Sequence, residues 1–504
     1  MRRRLFGTLA AVACIVGMLG GASTAAASPV LVLGRGGHAV VRQNPFLPAV
    51  SLTPAPSGAR VSTDRPATMQ VTADARRSAQ VTIASTLGKL YRSEQIDATA
   101  YDSDRTILEA AIRTAARLKG TRATELYSVL TTMHRMAVAG QLIRSRLPAL
   151  FLTLERNRQW WSTGPLLASG QRVQFAGSQI VWEYYPGQGI ELQELGSFGE
   201  ADGFYTGGPA YYPRLRRLLS ELIPLAVKRA GGLAWEYYFT FDGGRPPWVS
   251  AMAQGTALEA LTRAYRAFKD PSYLSTAAQA LPLFSAAPPA GVRIAAPAGA
   301  RYLQYSFAPH LSIINAFLQS LIGLYDYAHT SGNTVAEHLF DAGNAEALAE
   351  VPHFDTGAWS LYQPGLEDQL SYHQLVTEFL QELCSRTEAT VYCTTAHAFQ
   401  KDLTTPPALT LETHRSRVGA VTDVRFWLSK ESHVGIVEML NGTAIFSTSA
   451  TLGYGGNTFG IPIPRHPGTY TVRLAATDLA GNFNRVVGTL DVAPAKRGPV
   501  SKRP

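Results

Sequence analysis

The chain has 504 residues, 46% of them apolar and only 16% charged, with a formal net charge of +9. This length points to two or three domains, and the apolar share excludes a disordered chain. The low charge density is unusual for a cytosolic enzyme, and the basic balance suits an anionic partner.

The N-terminus reads as a signal peptide. Arg2, Arg3 and Arg4 form the positive region, residues 5–20 are apolar, and Ala25-Ala26-Ala27 supplies the small-residue cleavage pattern, so the mature chain is expected to begin at Ser28. The alternative, an uncleaved anchor, needs about 20 apolar residues, more than this run offers. Cys14 does not fit a lipoprotein signal, and the paired arginines also permit twin-arginine export. Removing 1–27 takes away three arginines and no acid, so +9 becomes +6. A secreted or cell-surface protein with no membrane span in the mature chain follows.

Residues 28–75 are rich in Pro, Ser, Ala and Thr and are predicted to be a leader or linker. From about residue 76 apolar residues recur at helical spacing. One helix starts near Asp102 and Asp104 and runs through Leu108, Ile112 and Leu118. The next carries Leu126, Leu130, Met133, Met136, Leu142 and Ile143. Others carry Leu215, Leu218, Leu219 and Leu222, then Leu258, Leu261, Tyr265 and Phe268, then Leu311, Ile314, Leu318, Leu321 and Tyr325. Aromatic, Gly- and Pro-rich stretches separate them, and residues 171–185 and 292–305 are candidate short strands. Serial helix pairs with long aromatic loops predict a mainly α fold over 76–400, an α/α toroid (incomplete α/α barrel) with function on the loops of one rim.

Cys384 and Cys393 remain after cleavage. In an oxidising compartment they are expected to form a structural disulfide, contributing about 2–3 kcal/mol; the spacing does not suit zinc. After Lys401 the texture changes. Leu403-Thr404-Thr405-Pro406-Pro407 reads as a linker, and strands are predicted over 408–413, 421–428, 434–439, 470–475 and 486–492. The run from Gly468 to Leu474, followed by Asp478-Leu479-Ala480-Gly481-Asn482, looks like the last hairpin of a bacterial immunoglobulin-like module, a small β-sandwich over 406–494. Residues 495–504, with Lys496, Arg497, Lys502 and Arg503, form a basic tail.

The chain has no phosphate loop, dinucleotide fingerprint, His-Glu-x-x-His motif or nucleophile elbow. No cofactor, metal or nucleic-acid partner is therefore expected. The 21 tyrosines stand out. They cluster in Trp182-Glu183-Tyr184-Tyr185-Pro186-Gly187-Gln188-Gly189, in Arg301-Tyr302-Leu303-Gln304-Tyr305, and at Tyr362 and Tyr372-His373. Taken singly, a loop tyrosine more often packs or stacks on sugar than catalyses.

Further residues carry a resemblance. Pro247-Trp248-Val249-Ser250-Ala251-Met252-Ala253-Gln254-Gly255 leads into Leu261-Thr262-Arg263-Ala264-Tyr265 and Lys269-Asp270. Asn315 and Phe317 precede Ser320-Leu321-Ile322-Gly323-Leu324-Tyr325-Asp326. Phe354-Asp355-Thr356-Gly357 is followed by Tyr362, then Tyr372-His373. In this order and spacing, over roughly 230–385, these blocks resemble the D-glucuronyl C5-epimerase family.

The resemblance implies removal of the proton at C5 of a uronic acid, alpha to its carboxylate, and its return on the opposite face. This needs an acid/base on each side of the ring and donors for the enolate-like carboxylate. A tyrosine base, with an ordinary pKa near 10, needs positive charge nearby. The family implicates Tyr305, Tyr372 and Tyr362 as catalytic residues. Arg301, Arg263, His373 and Gln254 become candidate substrate-binding groups, with Tyr185 from the upstream loop. Arg263 has a second reading, a structural ion pair. Two departures stand out: Gln304 occupies the place of a common family acid, and Gln363-Pro364-Gly365 replaces a basic stretch. The implied partner is an anionic uronic acid polysaccharide; a homodimer is left open. A polysaccharide lyase and a non-catalytic glycan-binding protein are the alternatives. A two-carboxylate hydrolase would draw on Glu183, Glu191 and Asp355, which no pattern pairs.

Overall fold

The computed structural model describes residues 28–47, 73–462 and 465–495. The predicted signal segment and the basic residues from Lys496 onward lie outside the described residues. Where a linker was expected, the chain opens with strands β1 (Ser28–Leu33) and β2 (Ala39–Asn44), paired antiparallel. Val30 and Val32 alternate inward and bury with Leu47 and Val181. The Asn44 amide donates to the buried Glu200 carboxylate at 2.9 Å, and Phe46 packs edge-on against Phe204 and Tyr211. Residues 28–47 are thus integral to the fold.

Four helices follow: α1 (Ala73–Arg92), α2 (Ala98–Arg117), α3 (Gly120–Val138) and α4 (Leu147–Thr163). α2 starts earlier than expected because Asp97 caps it, accepting from the Ala100 N–H at 2.8 Å. α3 stops short of Ile143, and the chain turns at Gly140, whose φ is +68°. Strands β3 (Arg172–Phe175), β4 (Trp182–Tyr185) and β5 (Gly189–Leu192) then complete a five-stranded sheet of order β2-β1-β3-β4-β5, in which β1 and β3 run parallel.

Next come α5 (Glu194–Thr206), α6 (Tyr212–Leu222), the hairpin β6 (Val227–Arg229) and β7 (Gly232–Ala234), α7 (Ala251–Phe268), α8 (Ser272–Ala280) and α9 (Pro282–Ser285). The hairpin β8 (Arg293–Ala295) and β9 (Ala300–Tyr302) precedes α10 (Ile314–Ser331) and α11 (Thr334–Glu350). The hairpin β10 (Leu361–Gln363) and β11 (Leu366–Glu367) precedes α12 (Leu370–Thr387) and α13 (Thr390–Asp402). One hydrophobic cluster runs from Leu33 to Phe399, so these elements share a core. It buries Trp160, Trp161, Trp182, Trp235 and Trp248 completely, each worth on the order of 2–3 kcal/mol in apolar burial. α7 and α10 cross at their glycines: a Cβ on Gly323 would collide with the Gly255 carbonyl, and one on Gly255 with the Ser320 backbone. Cys384 and Cys393 form a disulfide between α12 and α13, with Cα atoms 4.9 Å apart.

The C-terminal region is all strand. β12 (Leu409–Leu411), β13 (Arg415–Arg417), β14 (Thr422–Leu428), β15 (Ser432–Leu440), β16 (Thr443–Leu452), β17 (Gly455–Ile461), β18 (Gly468–Asp478) and β19 (Phe483–Ala493) form sheets of order β12-β14-β17 and β13-β19-β18-β15-β16. Strict alternation along β14 and β18 supplies a second, separate core containing Val424, Phe426, Ile436, Val472 and Leu474. β13, β16 and β17 were not expected. β16 is an edge strand exposed on both faces, and β17 opens on Gly455-Gly456, which reads as a turn. Among the described residues no helix is long and apolar enough to cross a membrane.

Candidate active site

Alternation along β4 divides its side chains. Tyr184 faces the helices, donating its hydroxyl to Glu125 of α3 at 2.8 Å and meeting Trp161 of α4 edge-on. Glu183 and Tyr185 face the other way. The Glu125 carboxylate also accepts from the N–H groups of Gly187 and Gly189, clamping the β4–β5 turn. Gly189 has a φ of +97°, and a Cβ there would strike Asn157 and Val129. The neighbouring Gln188 exchanges side-chain bonds with the Thr240 backbone, tying this turn to the loop carrying Phe239, Phe241 and Asp242. Tyr185 stacks on Phe239 at 4.4 Å, accepts from Gln193 Nε2 at 2.6 Å and bonds Glu183.

Tyr305 is fixed by its backbone. The Ala251 N–H donates to the Leu303 carbonyl at 2.9 Å and the Ser306 N–H to the Val249 carbonyl at 3.0 Å, docking this segment on the start of α7. Its ring stacks on Phe307 and leans on Phe241 and Trp248. Burial pushes its hydroxyl well above the ordinary tyrosine range, and the Tyr362 hydroxyl and the Gln304 side chain oppose that shift. Gln304 accepts from Ser250 Oγ at 3.4 Å, which orients its amide as a donor toward Tyr305. A carboxylate at this position would only accept, so this departure from the family pattern favours the phenolate.

Tyr362, on β10, and Tyr372, in the first turn of α12, meet edge-on at 5.2 Å. Burial raises both hydroxyls, followed by Tyr305 for Tyr362 and by Tyr362, Asp368 and Glu183 for Tyr372. Arg172 of β3 opposes the shift at Tyr372; its Nε lies 3.4 Å from Glu183 Oε2. Tyr185, Tyr305, Tyr362 and Tyr372 therefore share one buried patch with an arginine–glutamate pair at its edge. Four phenols, a cation and a carboxylate can relay protons and hold an anion.

Residues 231–401 match the family described as D-glucuronyl C5-epimerase C-terminus. That segment belongs to the D-glucuronyl C5-epimerase family. A D-glucuronyl C5-epimerase of Caenorhabditis elegans is 37% identical over 130 residues, which are 23% of this chain and 21% of that protein. An uncharacterised protein of Methanocaldococcus jannaschii is 26% identical over 137 residues, 26% of this chain and 44% of its own. The chain thus spans less than half the length of these relatives. Among solved structures, cellobiose 2-epimerase from Spirochaeta thermophila has 15% identity and a TM-score of 0.32, covering 56% of this chain and 72% of its own. A sugar epimerase from a ruminal bacterium has 14% identity and a TM-score of 0.30, covering 42% and 58%. The epimerase-family segment holds Tyr305, Tyr362 and Tyr372, whereas Tyr185, Glu183 and Arg172 come from ahead of it.

Four expected binding residues of the epimerase-family segment lie elsewhere. Gln254 is buried and brackets the Trp235 backbone, accepting from its N–H and donating to its carbonyl. Arg263 pairs with Asp202 at 3.2 Å and with Glu259. It sits twelve residues beyond Ala251 on α7, about 18 Å along the axis, so the ion-pair reading is the one the structure favours. Arg301 pairs with Glu350 and lies over Phe317. His373 is fully buried against Trp359 at 3.8 Å; Nδ1 accepts from the Ser360 N–H and Nε2–H donates to the Phe399 carbonyl. Burial pushes its pKa down to about 4, so it is neutral and offers no charge to a carboxylate. Arg172 was missed in the sequence. Its only signal was a charge on a short strand beside an acid-bearing one.

Proposed function

We propose that this protein is a carbohydrate epimerase inverting C5 of uronic acid residues in an acidic polysaccharide outside the cell. The observation that carries the reading is the single buried patch of Tyr185, Tyr305, Tyr362 and Tyr372 beside Arg172, built largely within an epimerase-family segment. The reading includes an incomplete α/α toroid bearing the site and a terminal immunoglobulin-like sandwich.

In this scheme the Arg172 guanidinium faces the sugar carboxylate, stabilising the negative charge that develops there as the C5 proton leaves. Tyr372 acts as the base from its phenolate form, which Arg172 favours against the burial that otherwise keeps the hydroxyl protonated, and it leaves the step as the phenol. Tyr305 returns a proton from its own hydroxyl to the opposite face, and the hydrogen-bonded Tyr362 and Gln304 stabilise the phenolate left behind. The net change is one C–H bond broken and one formed.

The test is NMR of N-sulfated heparosan incubated with the protein in D₂O. Deuterium at C5 with new iduronate signals supports the reading. An unsaturated product would replace it with a lyase, and no exchange on a range of uronic polymers would overturn it.

A further inference from the structure

The C-terminal strands reach the elements next to Tyr362 and Tyr372 through two separate contacts. The first is Glu367, at the end of the β10–β11 hairpin that carries Tyr362. Its carboxylate leaves its own domain's hydrogen bonding and accepts from the Glu431 N–H at 3.1 Å and the Tyr454 N–H at 3.0 Å. These two donors flank β15 and β17, outside the family match. The second is Lys430, 1% exposed, which pairs with Asp478 at 2.9 Å and donates to the carbonyls of Asp402 and Thr405. Its ammonium lies 5.0 Å over the Trp359 ring, and Trp359 stacks on His373, the residue after Tyr372. Trp359 Nε1–H also donates to the Asp368 carbonyl at 2.7 Å, closing the hairpin base.

A buried carboxylate spent on backbone N–H groups of another core, and a buried lysine that besides its Asp478 partner reaches out to the linker and an aromatic ring, are costly as mere tethers. An ordinary linker contact would be served by apolar packing. What both contacts share is that each ends close to a site tyrosine: Glu367 on β11, the strand paired with the β10 strand of Tyr362, and Lys430 through Trp359 and His373 on the Tyr372 turn. We infer that the C-terminal β region is a positioning element of the active site, holding Tyr362 and Tyr372 in register through Glu367 and Lys430.

The inference rests on the proposed epimerase for its kinetic readout, but not for its structural one. Amide hydrogen exchange is measured over 359–372 and over α7 in the full chain and in Glu367→Ala, Glu367→Gln and Lys430→Met, together with C5–H exchange kinetics. Glu367→Ala is expected to speed amide exchange in 361–367 at least tenfold while leaving α7 unchanged, and to lower kcat about tenfold with KM steady. Glu367→Gln, which keeps a carbonyl acceptor, should restore most of both. Lys430→Met is expected to act in the same direction around Trp359. Unchanged amide exchange over 359–372 in Glu367→Ala and Lys430→Met overturns the inference, whether or not the protein turns over a uronic polymer. Faster amide exchange with unaltered kcat in an active enzyme overturns the positioning role.

Discussion

The two ends of α7 and α12 carry opposite kinds of buried polar cluster. At the start of α7 and in the first turn of α12 lie Tyr305 and Tyr372, uncharged groups with Arg172 and Glu183 at their edge. At the far ends, Arg263 and Arg386 face Asp202, Glu259, Asp326 and Glu382, stitching α5, α7, α10 and α12 together. Arg386 grips Asp326 with two bonds of 2.8 and 2.9 Å, and Gln319 donates to Glu259 at 2.7 Å. Burial, with the neighbouring carboxylates, drives Asp202 and Glu259 upward against the pull of Arg263. One end is closed on itself; the other keeps hydroxyl protons to exchange. Both lie in or beside the family blocks, so a shared motif marks scaffold as readily as chemistry.

The sharpest way to break this contrast is substitution at each end. Tyr305→Phe is expected to lower C5–H exchange by about 10²–10⁴-fold, the usual weight of an acid–base group, with the melting temperature nearly unchanged by calorimetry. Arg263→Met should do the reverse. It leaves buried carboxylates unpaired and is expected to cost about 3–5 kcal/mol in denaturant unfolding, while the folded fraction keeps its turnover. If Arg263→Met abolished turnover in a folded protein, the two ends would not be separable.

The epimerase blocks were readable because each is contiguous in the chain and they follow one another in a fixed order. Their roles were not. Ser250 caps α7, Gln254 brackets Trp235, Gly255 permits a helix crossing, and Asp355-Thr356-Gly357 forms a turn, with the Asp355 carboxylate accepting from the Gly357 N–H at 2.7 Å. None of this leaves a trace in residue spacing. The helices showed through their apolar stripes, and β14, β15, β18 and β19 through alternation. β1 stayed hidden because a six-residue strand has too little local pattern to announce itself, and its second partner, β3, lies some 140 positions later.

Smaller effects sharpen the comparison. The native pKa of His373 sits below the ordinary 6.5, so its stabilising contribution is complete above pH 6.5 and is lost as pH falls toward 4. Full protonation would cost on the order of 3 kcal/mol. The stability advantage of the native chain over His373→Asn should therefore shrink across that window in denaturant titrations. Cys384→Ser with Cys393→Ser removes the α12–α13 bridge and is expected to cost about 2–3 kcal/mol, with kcat unaltered because the bridge sits at the closed end.

The parallel pairing of β1 with β3 also sets a schedule. Leu31 finds Val173, and Leu33 finds Phe175, only after α1 to α4 have been made. During synthesis β1, paired on one side with β2, must therefore wait with its other edge open until the strand bearing Arg172 emerges. A chaperone that holds this stretch during that interval would govern yield without ever touching the folded protein.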